Sequence, residues 1–84
     1  MTIQREEIDK RARRVLAIFK RRNVKTGESL DWVTLRSEFD GTIEEFALEM
    51  NWCQAMSYIW ELREDKHHQY LLTRSGHAVA GKTG

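Results

Sequence analysis

Ser57-Tyr58-Ile59-Trp60-Glu61-Leu62 and, after six residues, Gln69-Tyr70-Leu71-Leu72-Thr73-Arg74-Ser75-Gly76 decide how this 84-residue chain is read. Tyr58-Ile59-Trp60 with Leu62 carries the aromatic and β-branched enrichment of a strand. Pairing residues 58–62 with 69–72 makes a two-stranded ribbon with its tip at 63–68. Thr73 then caps a short closing helix over 74–80, and 81–84 form a tail. Local propensity leaves a second reading open. No proline or glycine interrupts residues 43–69, and Glu61-Leu62-Arg63-Glu64 are good helix formers, so the preceding helix either stops near Met56 or continues to Asp65.

Upstream of the ribbon, Ile8, Ala12, Val15, Leu16 and Phe19 repeat on one face of a 3.6-residue period, which predicts an amphipathic helix over residues 3–23. Lys10, Arg13, Arg14, Lys20 and Arg21 take the opposite face. Glu6, Glu7 and Asp9 near its start and 20–22 near its end suit the helix dipole. Residues 23–29 read as a loop, and Leu30 as a very short strand. Asp31 is the expected N-cap of a second helix carrying Trp32, Leu35 and Phe39, which Asp40-Gly41 closes with a left-handed glycine. Thr42-Ile43-Glu44-Glu45 is a capping box opening a third helix, whose apolar face is Ile43, Phe46, Ala47, Met50 and Cys53. Two short helices joined by a few turn residues make a helix-turn-helix.

A helix-turn-helix followed by a ribbon and by Tyr70-x-Leu72-Thr73-x-x-Gly76 resembles the winged-helix superfamily, in particular small bacterial and phage modules with a Leu-Thr-x-x-Gly signature closing the wing. The resemblance covers residues 31–80. It implies an α+β fold of three helices, a wing hairpin and a short C-terminal helix, forming one domain over 1–80. It also implies a regulatory binding module with double-stranded DNA as the first partner to consider. In that setting Arg11, Arg14, Arg21, Arg22 and Lys25 neutralise phosphates, Asn51 and Gln54 touch base edges, and Lys66, His67 and His68 on the wing meet the backbone or minor groove.

The charge pattern points elsewhere. Net charge is +1, but residues 5–25 hold nine Lys/Arg against three acids, and 26–50 hold one base, Arg36, against seven acids. The third helix, the reading element of DNA-binding relatives, shows Glu44, Glu45 and Glu49 and no Lys or Arg. Such carboxylates oppose a duplex carrying one charge per ~1.7 Å. Its second face holds Leu48, Trp52, Ala55 and Met56. Exposed, that stripe is a protein-docking surface with Leu48, Trp52 and Met56 as anchors and Glu45 and Glu49 as an acidic rim; covered, it is ordinary core. A chain basic on one helix and acidic on another is also suited to salt-sensitive self-association.

Other chemistry is weakly supported. Gly76-His77-Ala78-Val79-Ala80-Gly81-Lys82-Thr83 spells a phosphate-binding loop, but that loop needs a helix after it, and one residue follows Thr83. Cys53, His67, His68 and His77 fit no zinc spacing, and Cys53 reads as a core residue. No nucleophile–base pair or carboxylate pair suggests an enzyme, and no cofactor is expected. One cysteine and the lack of a long apolar run fit a cytoplasmic protein without membrane contact.

Overall fold

In a computed structural model, the structure describes residues 9–64 and 67–82. It is a mixed α+β fold: α1 (Arg13–Arg21), β1 (Ser29–Asp31), α2 (Trp32–Glu38), α3 (Ile43–Ala55), β2 (Ile59–Glu64), β3 (His67–Leu72) and α4 (Arg74–Ala80). The three strands form one antiparallel sheet in the order β1-β3-β2. Ile59 faces Leu72 and Glu64 faces His67 across the hairpin, while Ser29 faces Leu71 on the other side of β3. The hairpin reading of 58–72 therefore holds and the long-helix alternative does not. Both strands run further than residues 58–62 and 69–72 suggest. Arg63 and His68 pair in register, and the Glu61 carboxylate meets Arg63 along its own strand and His68 Nδ1 across the hairpin, so the ladder continues into the expected tip.

Two helices end without glycine or proline, by the same device. At the end of α1 the Asn23 N–H donates to the Lys20 carbonyl and the Val24 N–H to the Phe19 carbonyl, with Asn23 at φ 56. At the end of α3 the Ser57 N–H donates to Gln54 and the Tyr58 N–H to Cys53, with Ser57 at φ 61. Both are Schellman closures, with a left-handed residue just past the cap and a buried apolar residue after it. The expected glycine stop of α2 is absent. That helix ends at Glu38, Phe39 is extended, and Gly41 has no positive φ. Gly41 serves space instead, since a Cβ there would lie 2.6 Å from Glu45 Oε1 and 2.7 Å from the Phe39 ring.

The core gathers one face from each helix and the inner face of the sheet: Leu16, Ile18 and Phe19 from α1, Leu35 from α2, Phe46, Met50 and Cys53 from α3, and Ile59, Tyr70 and Leu72 from the strands. Phe46 is its aromatic centre, edge-on to Phe39 at 5.2 Å and to Trp32 at 5.5 Å between ring centroids. Three sequence expectations shift here. α1 begins at Arg13, after a turn at 10–12, and no acid lies in its first turn. Residues 3–8 lie outside the described residues. On α3, Ile43 and Ala47 are exposed and Glu49 takes the inward position, because Glu49 has a tertiary hydrogen-bond partner to meet.

The Leu72-Thr73-x-x-Gly76 segment joins α4 to the end of α3. Thr73 Oγ1 accepts the Gly76 N–H at 3.0 Å and lies 2.5 Å and 2.9 Å from the Ser57 and Tyr58 carbonyls, to which it donates its one proton. A Cβ on Gly76 would sit 2.1 Å from the Tyr58 carbonyl oxygen. The motif thus couples a cap to a close backbone approach. Among the described residues no helix is long and apolar enough to cross a membrane.

Candidate functional site

The start of α3 is fixed locally. Thr42 Oγ1 accepts the Glu45 N–H at 3.1 Å, and the Glu45 carboxylate accepts the Thr42 N–H at 2.9 Å, the expected capping box. One turn later Glu49 reaches across to α1. Its Oε2 accepts the Val15 N–H at 2.6 Å and its Oε1 accepts Arg14 Nε at 3.3 Å. Glu49 therefore serves one of the orphan donors in the first turn of α1, which has no side-chain cap of its own. Arg14 completes the joint. Its Nη1 donates to the Asp40 carbonyl at 3.0 Å and lies 3.7 Å from Glu45, while its guanidinium stands 4.6 Å over the Phe39 ring.

Beside this joint the chain leaves a groove of about 340 Å³ between the turn preceding α1 and the outer side of α3. Lys10, Arg11 and Arg14 line one wall, and Glu45, Leu48, Glu49 and Trp52 the other. Trp52 is half-buried and fixed by Asp9, whose Oδ2 accepts both Trp52 Nε1 at 2.7 Å and the Tyr58 hydroxyl at 3.1 Å. Asp9 Oδ1 accepts the Arg11 N–H at 3.0 Å, and the Arg11 guanidinium lies 4.6 Å over the Trp52 ring. Leu48 projects freely, 71% exposed.

Burial raises the Glu49 carboxyl above its ordinary value, against the opposing pull of the Val15 N–H and Arg14. The Glu45 carboxyl moves down, held first by the Thr42 N–H and then by Arg14. The buried Cys53 thiol is pushed up, chiefly by desolvation, and sits in the core as a neutral group.

The residues expected to meet DNA disperse. Arg11 and Arg14 reach the groove, but the first stacks on Trp52 and the second is shared by Glu45 and Glu49. Arg21 and Arg22, at the far end of α1, both pair with Glu38. Lys25 is exposed in the following loop, where its backbone N–H donates to Glu28. Asn51 is exposed on α3, and Gln54 is half-buried. His68 lies within β3, 3.0 Å from Glu61; Lys66 and the His67 side chain lie outside the described residues.

The docking set is brought together more closely. Glu45, Leu48, Glu49 and Trp52 share the groove, whereas Met56 stands beyond it at the end of α3, 43% exposed. Glu49, expected on the rim, is only 6% exposed and faces inward. Sequence reasoning missed Asp9 as the residue that fixes Trp52, and Lys10 as a groove wall. The partners of Asp9 lie more than forty residues away, at separations of 43 and 49, and no local pattern announces them. Among the described residues, no group of three or more His, Cys, Asp or Glu is placed to hold a metal ion. No protein-family model, curated protein or solved structure matches this chain.

Proposed function

We propose that this chain is a winged-helix module that binds a protein through α3 and its groove, without catalysis. The element order and the β1-β3-β2 sheet support the winged-helix reading. The observation that carries the partner class is the exposed face of α3: Glu44, Ala47, Leu48, Asn51 and Ala55, with no cation among them. A helix entering the major groove needs donors aimed at phosphates and base edges, and this one offers an acid, an amide and apolar carbon. Of the nearest arginines, Arg11 stacks on Trp52 and Arg14 is shared by Glu45 and Glu49. Redirecting Arg14 to a phosphate leaves the buried Glu49 carboxylate without its cation, a costly exchange. A projecting leucine beside a rigid, half-buried tryptophan, rimmed by charge, is the anatomy of a protein-docking patch.

The test is anisotropy of a labelled random duplex at ~50 and ~200 mM salt, paired with capture of proteins on immobilised wild-type and Leu48→Glu chains. The docking reading expects no duplex binding at the lower salt and capture that Leu48→Glu abolishes. Duplex binding that weakens roughly tenfold or more between the two salts overturns it in favour of DNA.

A further inference from the structure

The occupant of α3 is written in the arrangement of charge along it. At the N-terminal end stands Glu44, exposed and with no ionic partner among the described residues. Eight residues on, about 12 Å along the axis, stands Trp52 with Arg11 over its ring, and Lys10 beside them has no ionic partner among the described residues either. Leu48 projects midway between the two ends. Ala47 beside it and Ala55 two turns further on are exposed and small enough to admit another helix at close range. The strip therefore runs from negative to apolar to positive.

A strip of that kind is complementary to itself when reversed. A twofold axis through Leu48 lays the acidic end of one copy over the basic end of the other, twice over, and joins the two leucines. This is the isologous contact that closed dimers use. Net charge of +1 per chain leaves little global repulsion to oppose it. From this we infer that the partner of α3 is a second copy of this chain, docked antiparallel across a twofold axis at Leu48; the inference rests on α3 being a protein-docking face. The contact is one helix and one groove wide, below the roughly 1,200 Å² of standard interfaces, so the dimer is weak and electrostatically steered.

Sedimentation equilibrium of the full chain from ~10 to ~300 μM at low and high salt tests this, since a weak interface dissociates in that range. The expected result is a monomer–dimer equilibrium whose dissociation constant rises about tenfold or more between ~50 and ~500 mM salt. Leu48→Glu leaves a monomer. Glu44→Lys and Lys10→Glu each weaken the dimer, and combining them restores it, because the reversed charges meet across the axis. Circular dichroism confirms that each variant is folded. A folded wild-type monomer at every concentration overturns the inference, as does a dimer indifferent to Leu48→Glu. A monomer that still captures another protein through Leu48 overturns only the second copy, whereas salt-sensitive duplex binding removes the docking face itself.

Discussion

Gly76 and Gly27 are both glycines the chain needs, for different reasons. At Gly76 a methyl group would strike a carbonyl oxygen in the backbone, which has no rotamer by which to withdraw. At Gly27 the same methyl meets open space, but the residue sits at φ +91. Gly76→Ala is therefore expected to lower stability by about 3 kcal/mol or more, at the upper end of overpacking costs. Gly27→Ala should cost about 1 kcal/mol, from backbone strain alone. Urea denaturation of the two variants checks the order, and equal losses would remove the packing account of the Leu-Thr-x-x-Gly segment. Glu49 supplies the pH argument. Its carboxyl lies higher in the folded chain than its ordinary 4.5, so the native state holds more protons between the two values. Its contribution to stability accordingly falls as pH rises through that window. Glu49→Gln, which keeps an acceptor for the Val15 N–H, should flatten this part of the stability–pH curve. Glu49→Ala leaves that N–H unmet and should cost about 1–3 kcal/mol. Denaturation midpoints from pH 4 to 8 decide both points.

The elements divide by how their ends are encoded. The capping box of α3 and the Thr73 cap of α4 are local in sequence, and both are readable there. The hairpin is readable too, because Tyr58-Ile59-Trp60 and Tyr70-Leu71-Leu72 concentrate strand-forming side chains. The stop of α3 near Met56 follows from that strand signal, but the way it is made does not, since Ser57 is an ordinary residue that tertiary packing drives into a left-handed conformation. The reward is the burial of Tyr58 and Ile59 just beyond it. Ser57→Val should cost about 1–2 kcal/mol, because a β-branched side chain tolerates that conformation poorly. Ser57→Gly should be neutral or stabilising by up to about 1 kcal/mol, strain relief being offset by the freer unfolded chain. Thermal melts of the pair check the sign. If Val and Gly behave alike, strain does not govern the stop.

Across the whole molecule, the candidate site was half legible. Glu45, Leu48 and Trp52 share a helical stripe, so their meeting at one surface follows from spacing. The opposite wall, Lys10, Arg11 and Arg14, follows from none, because it is set by long-range bonds from Trp52 and Tyr58 to Asp9 and from Arg14 to Glu49. The charge asymmetry was visible, but its use was not: much of the basic cluster is spent on the chain's own acids. Arg21 and Arg22 meet Glu38 at the surface, where such pairs are worth ~0–1 kcal/mol each. Raising salt from ~50 to ~500 mM should therefore move the unfolding midpoint by no more than a few degrees, since these pairs contribute so little. A midpoint that follows salt as steeply as self-association would mean the fold itself depends on these bridges. The lone cysteine offers a last consequence. Cys53 lies at the centre of the core with its proton held fast, and a thiol in that state is inert toward alkylating reagents. It can be modified only in molecules that have momentarily opened. The rate at which iodoacetamide consumes it in native buffer is thus a stopwatch on the breathing of the core, already installed in the natural sequence.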